Sequence, residues 1–302
     1  MATPVSPVSP DQLLVLLEVA RTGRYTTAAH RLGINHTTVA RNVRALERAL
    51  GDKLLVRGAD GWELTALGER AARAAESVSD AMAGLGEDGD ADPVAGVVRL
   101  TTTDGFAAYV ASPAIAALRE EHPDLSAELV TVTRRAASHR SGTDIEVVVG
   151  EPQVERARAF RLGEYELGMY AARDYLARHG TPSSVSELAG HGLVYFVDSM
   201  LQVDDLDAPR RLLPGIRDSL TSTNVFVHVE ATRAGAGVGF LPAFCADRHP
   251  DLVRLLPEQL RERLPYWAVV RPEAWRRPAV VAVLEALRAQ VARSRPMLVP
   301  TE

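Results

Sequence analysis

The sequence predicts an α/β protein that opens with a small all-α domain carrying a wing. Three observations lead there. Three amphipathic helix patterns, each closed by a glycine, fill the N-terminal part up to Gly51. Beyond residue 93, short apolar runs alternate with helical stretches. The segment between them, GEDGDADP at residues 86–93, is acidic, glycine-rich and aperiodic, as a domain boundary is.

The first helix begins at Ser9-Pro10-Asp11-Gln12, which reads as a capping box with proline at the first helical position. Leu13, Leu14, Leu16, Leu17 and Ala20 form its apolar stripe, and Gly23 ends it. Thr26 to Leu32 makes a second helix, with Ala28, Ala29 and Leu32 inward and Gly33 as C-cap. Asn35 caps a third, in which Val39, Val43, Leu46 and Leu50 recur at helical spacing before Gly51. The short Gly33-Ile34-Asn35 turn makes the last two a helix-turn-helix. With Val39, Val43 and Leu46 inward, His36, Thr37, Thr38 and Arg41 hold the opposite N-terminal face. There they reach base edges if the helix enters a major groove.

Lys53–Val56 and Trp62–Leu64 read as two wing strands, and Arg57 between them suits a phosphate or minor-groove contact. Thr65 then opens an alanine-rich helix to about Leu85. Its Leu67, Ala71, Ala74, Val78, Ala81 and Leu85 repeat as a heptad seam. Such a seam serves either a dimer or packing on its own domain. We read it as a dimer helix, because the acidic segment that follows offers it no partner. In the second part, strands are expected at Val97–Thr102, Ala127–Val132, Ile145–Val149, Tyr165–Ala171, Leu193–Val197, Val238–Leu241, Leu252–Leu255 and Trp267–Val270. Helices are expected at Ala107–Glu121, Asp174–His179, Val225–Gly235 and Pro278–Arg293, with mostly parallel strand pairing. The expected division is 1–65 for the winged domain, 66–92 for linker helix and hinge, and 93–302 for the α/β domain.

A chain of 302 residues suits two domains at roughly 100–200 residues each. The 46% apolar content is enough for real cores, yet no apolar run approaches the ~18 residues of a membrane span. Met1 to Pro10 has neither basic residues nor an apolar stretch, so no export signal is read and a cytoplasmic location is expected. The net charge of −5 argues against a polyanionic partner, but from Arg21 to Arg57 eight basic residues face two acids, a local charge of +6. Screening beyond about 8–10 Å makes the local charge the relevant one. Cys245, the single cysteine, cannot form an internal disulfide; it is either a buried inert thiol or a redox sensor. No His/Cys set has metal-ligand spacing, and Gly235-x-Gly237-x-Gly239 fits neither a P-loop nor a dinucleotide fingerprint. No acid, base and nucleophile gather in the sequence, so neither an enzyme nor a cofactor is expected.

Hydroxyls cluster where strands should end: Thr101-Thr102-Thr103 before Asp104, and Thr131-Val132-Thr133 before Arg134-Arg135. Ligands of open α/β sheets bind outside such ends, although threonines also cap loops.

ARTGRYTTAAHRLGINHTTVARNVRALERALGDKLLVRGADGWELTALGE, residues 20–69, resembles the LysR-type transcriptional regulator family. The resemblance rests on Ala28-Ala29, Arg41, Arg44-Ala45-Leu46-Glu47, Leu50-Gly51, Leu54 to Arg57 and Leu64 to Gly68, in that order. Looser likeness continues at Gly96–Leu100, Glu121-His122-Pro123, Thr143–Gly150 and Ala234–Pro242, so it spans about Pro10 to Arg293. It implies a homodimer or homotetramer that binds double-stranded DNA, with two α/β subdomains around an effector cleft, as in periplasmic binding proteins. DNA contacts are then expected from Thr26, Asn35, His36, Thr37, Thr38, Arg41, Arg44 and Arg57. Effector contacts are expected from Thr102, Thr103, Asp104, Thr133, Arg134, Thr223 and Asn224. Threonine hydroxyls and a helix N-terminus favour a small carboxylate-bearing or aromatic metabolite. The family's recognition helix commonly begins Ser-Gln, and here Asn35-His36 stands instead, so base preference does not carry over. The alternative readings are a small-molecule-binding protein with no direct role in transcription, and an enzyme.

Overall fold

The computed structural model describes residues 8–58, 61–83, 94–131, 143–152, 154, 157–197, 208–213, 215–272 and 274–300. They form two compact units, one ending before Val94 and one starting there. The 86–93 boundary segment, with Thr133 and Arg134, lies outside the described residues.

In the first unit, α1 (Pro10–Thr22), α2 (Tyr25–Leu32) and α3 (His36–Leu50) are each closed by a left-handed glycine, Gly23, Gly33 and Gly51. Leu16, Leu17, Val19, Ala28, Val39, Val43, Leu46 and Leu54 are almost wholly buried in one core. Each large side chain there contributes about 1.5–3 kcal/mol. Asn35 caps α3 by accepting from the Thr37 amide at 3.1 Å. The expected capping box at Ser9 does not form. The Ser9 side chain makes no cap bond, and its backbone carbonyl takes the Gln12 and Leu13 amides instead.

The wing strands β1 (Leu55–Arg57) and β2 (Trp62–Leu64) pair antiparallel. The wing is fastened at both ends. The Trp62 amide donates to the Gly23 carbonyl at 2.8 Å, and its indole stacks on Tyr25 with centroids 5.1 Å apart. Gly61 is required here: at φ 146° it brings its backbone so near the Gly23 carbonyl that a Cβ would lie 2.6 Å from that oxygen. At the other end Glu47 accepts from the Leu54 amide at 3.2 Å and pairs with Lys53 Nζ at 2.9 Å.

Thr65 opens α4 (Ala66–Ala83). Its hydroxyl donates to the Lys53 carbonyl at 2.7 Å and accepts from the Gly68 amide at 3.0 Å. The heptad seam of α4 divides. Ala71 is buried, and Leu67 and Val78 pack on the domain's own core, where α1 runs alongside. Ala74 is exposed, as is Met82. The helix therefore has a partner in α1 that its flanking sequence does not show.

The second unit contains β3 (Gly96–Thr102), α5 (Asp104–Phe106), α6 (Ser112–Glu121), β4 (Leu125–Thr131), β5 (Ile145–Val149), β6 (Arg158–Ala172), α7 (Arg173–His179) and β7 (Gly192–Phe196). It continues with α8 (Ala208–Leu212), β8 (Arg217–Ser222), α9 (Val225–Arg233), β9 (Val238–Pro242), α10 (Ala243–Ala246), β10 (Leu252–Leu255), β11 (Arg261–Val270) and α11 (Pro278–Leu298). Residues 107–111, between α5 and α6, form one wide π-turn. Pro113 has no amide to return to the Tyr109 carbonyl, and the Ser112 amide and hydroxyl both donate back to the Ala107 carbonyl.

The strands join in one sheet of order β4-β3-β5-β11-β6-β9-β7-β8, with β10 beside β6. The outer sets β4-β3-β5 and β9-β7-β8 are parallel, but every pairing of β6 and β11 is antiparallel. The mostly parallel pairing expected from sequence is thus corrected to a mixed sheet. Two long strands cross between the parallel halves and make them two subdomains of one sheet.

A buried carboxylate pins this crossing. Glu166 of β6 is 2% exposed and accepts from Arg254 of β10 at 2.6 Å and Arg263 of β11 at 3.0 Å. Burial alone would raise its pKa, but the two guanidiniums outweigh burial and hold it below the ordinary carboxylate value.

Candidate nucleic-acid interface and ligand junction

The face of α3 opposite Val39, Val43 and Leu46 carries His36, Thr37, Arg41 and Arg44, all exposed, with Thr38 half-buried. Asn35, its cap, is exposed too, and Thr26 on α2 and Arg57 on β1 are exposed in the same unit. Arg41, Arg44 and Arg57 make no ion pair within the described residues. A groove of about 860 Å³ beside α3 is lined by Arg41, Arg44, Arg48 and Lys53, with Thr37, Glu47, Gly51 and Asp52. Its acids are already engaged: Glu47 holds Lys53 and the Leu54 amide, and Asp52 accepts from the Lys53 amide at 2.7 Å. The groove's arginines are thus not neutralised by the acids that line it with them.

In the second unit, α5, which follows the C-terminal end of β3, packs against α9. Thr102 is 1% exposed and its hydroxyl has no hydrogen-bond partner. Thr103 is half-buried, and its hydroxyl is hydrogen-bonded to the buried Tyr266 phenol. Asp104 opens α5 and acts electrostatically on both His228 and Cys245. Across from it, Asn224 caps α9 by accepting from the Phe226 amide at 2.9 Å and the Val227 amide at 3.4 Å. Thr223, just before it, is exposed. The structure therefore brings Asp104 to the helix that Asn224 caps, with Thr102 and Thr103 directly before it in the chain.

Sequence reasoning missed several groups at this junction. His228, on α9, is 1% exposed, hydrogen-bonds the Ser222 carbonyl through Nε2 at 2.9 Å, and meets Phe196 edge-on with centroids 4.6 Å apart. Tyr109, in the π-turn, meets Phe226 with centroids 6.0 Å apart. The available signal was periodicity: Val225, Val229 and Thr232 mark the buried face of α9, and His228 falls on it. Cys245 is buried beside this group, and burial pushes its thiol up to about 12. A redox sensor needs thiolate, so the inert reading fits its surroundings.

A winged helix-turn-helix with an unpaired cationic face, joined to an α/β unit with converging strand ends, defines a ligand-responsive DNA-binding regulator. Residues 10–69 match the model of the bacterial regulatory helix-turn-helix proteins of the lysR family, and residues 91–292 match the LysR substrate binding domain. The regulator CrgA of Neisseria meningitidis serogroup C is 28% identical over 263 residues, covering 84% of this chain and 87% of that one. The activator AaeR of Escherichia coli K12 is 26% identical over 269 residues, covering 85% and 86%. A full-length OxyR variant of Pseudomonas aeruginosa shares the fold at TM-score 0.71 and 17% identity, covering 94% and 95%. The chain belongs to the LysR family of transcription regulators. It is a DNA-binding regulator modulated by a small-molecule effector, not an enzyme. No helix among the described residues is long and apolar enough to cross a membrane.

Proposed function

We propose that α3 enters the major groove of operator DNA, as one of two or four copies in a cytoplasmic oligomer. His36, Thr37 and Thr38 read base edges, Arg41 and Arg44 bind phosphates, Asn35 and Thr26 steady the helix start, and Arg57 follows the backbone from the wing. The observation that carries this is the exposed, hydrogen-bonding N-terminal face of α3, with Arg41 and Arg44 making no ion pair among the described residues. Gel shifts with DNA fragments selected from the protein's own genome test it, and binding that does not weaken with salt would count against it.

The effector binds where β3 ends against α9, among Thr102, Thr103, Asp104, Thr223 and Asn224. Thr133 and Arg134, outside the described residues, belong to the same expected set. The half-buried rings of Tyr109, Phe196 and Phe226 support the aromatic half of the expected ligand class. The carboxylate half has less support, since Tyr266 engages the Thr103 hydroxyl and Asn224 takes two of the free amides of α9. A metabolite screen by thermal shift should yield ligands that stabilise by about 2.7 kcal/mol at a hundredfold excess over Kd. Phe226→Ala should weaken those hits several-fold, and hits indifferent to it would place the site elsewhere.

Assembly through α4 rests on its exposed positions alone. Ala74→Asp, which leaves the face packed on α1 untouched, should lower the mass measured by light scattering and reduce DNA affinity. An unchanged mass would remove α4 from the interface.

A further inference from the structure

The buried polar groups at the end of β3 are short of hydrogen-bond donors. His228 Nε2 faces the Ser222 carbonyl, which can only accept, so the ring proton sits on Nε2. Burial disfavours a second proton more than the Asp104 charge favours one, so the ring is neutral. Nδ1 is then a bare lone pair, fully buried and without a partner. Native interiors seldom leave such an atom unused. Asp104, the charge that acts on this ring, is a second acceptor and makes no ion pair within the described residues. The Thr102 hydroxyl, two residues before Asp104, is also buried and unpartnered. Few donors are left to hold a carboxylate: Thr103 is engaged with Tyr266 and the Phe226 and Val227 amides with Asn224, so the Thr102 hydroxyl is the donor that remains beside these acceptors.

We propose that the effector is an aromatic compound bearing hydroxyl or amino groups, recognised by the hydrogen bonds it donates to His228 Nδ1 and the Asp104 carboxylate. The proposal rests on the junction being the effector site. Phe196, edge-on to His228, and the Tyr109–Phe226 pair supply ring faces for the aromatic body. A carboxylate at the same place meets two acceptors, one of them charged, while the nearby Arg248 guanidinium is already stacked on Tyr109 at 4.1 Å and donates to the Phe244 carbonyl and to Met297.

Four small probes test this on the full-length protein: catechol and 2-aminophenol, which donate, and benzoate and 1,2-dimethoxybenzene, which do not. Catechol and 2-aminophenol should raise Tm in a dose-dependent way, and the other two should not. In His228→Phe, which keeps a ring and removes the acceptor, affinity should fall roughly tenfold or more. His228→Gln, which keeps an acceptor, should recover part of it. Should His228→Phe not fold, the histidine ring nitrogen resonances of the unsubstituted protein replace it: catechol should move the His228 Nδ1 signal. Benzoate binding as well as catechol, or catechol binding that leaves His228 unaffected, overturns the proposal. If that benzoate binding is weakened by Phe226→Ala, the junction stands as the effector site and only the donor rule is lost. If none of the four binds, the donor proposal falls, and the junction itself is judged by the metabolite screen and Phe226→Ala.

Discussion

Arg41→Ala is expected to weaken operator binding across all DNA sequences and to lower the slope of log affinity against log salt by about one per half-site. Arg41 is exposed on the face of α3 proposed to meet DNA and makes no ion pair among the described residues, so its charge can serve a phosphate. His36→Ala should behave differently. A base-edge contact carries about 1–3 kcal/mol of discrimination, so its loss should relax preference at one position per half-site while non-specific affinity holds. Binding curves on the native site and on single-position variants, at several salt concentrations, separate the two. Normal affinity, salt slope and selectivity in both variants would mean that α3 does not lie in the groove by this face.

Glu166→Ala is expected to be the most damaging single change in the α/β unit. It removes a buried carboxylate and leaves Arg254 and Arg263 facing one another across β6. Breaking a buried pair from one side costs about 3–5 kcal/mol. Arg263 is half exposed and can turn to water, so the lower figure of about 3 kcal/mol applies here. At roughly 2–4 °C per kcal/mol for a unit of this size, Tm should fall by about 6–12 °C. The pH dependence has a definite sign. The folded pKa of Glu166 is depressed, so its contribution is present above the ordinary carboxylate range and is lost as pH falls through the folded value. The variant should lack this part of the acid sensitivity. A variant that melts within a degree of the unsubstituted protein at neutral pH would show the cluster to be idle.

The site was unevenly legible. His36, Thr37 and Arg41 could be placed on the exposed face because they lie within the first two turns of α3 and the buried stripe is short and strict. Thr103 was located correctly at a strand end, but its hydroxyl turned out to serve Tyr266, a residue far along the chain. His228 escaped notice because a lone histidine on an apolar helix face has no motif around it. Its meaning comes from Ser222, Phe196 and Asp104, brought together only by folding. β8 was missed for a different reason: Arg217–Ser222 is polar and mostly exposed, a strand at the edge of the sheet that among the described residues pairs with β7 alone, and it carries no apolar run. The first halves of β6 and β11 were missed because arginines and Pro265 interrupt their pattern.

What the sequence determined by itself is the winged helix-turn-helix: its three helices, their glycine stops, the Asn35 cap and the basic face of α3. Those features depend on hydrogen bonds and side-chain spacing within one or two turns, so neighbouring residues suffice to specify them. Tertiary structure alone decided the mixed sheet, the packing of α4 on α1, and which polar groups at the β3–α9 junction are left without partners. Each of these depends on which distant segments come together, and a hydroxyl or imidazole acquires its role only when every group around it is known.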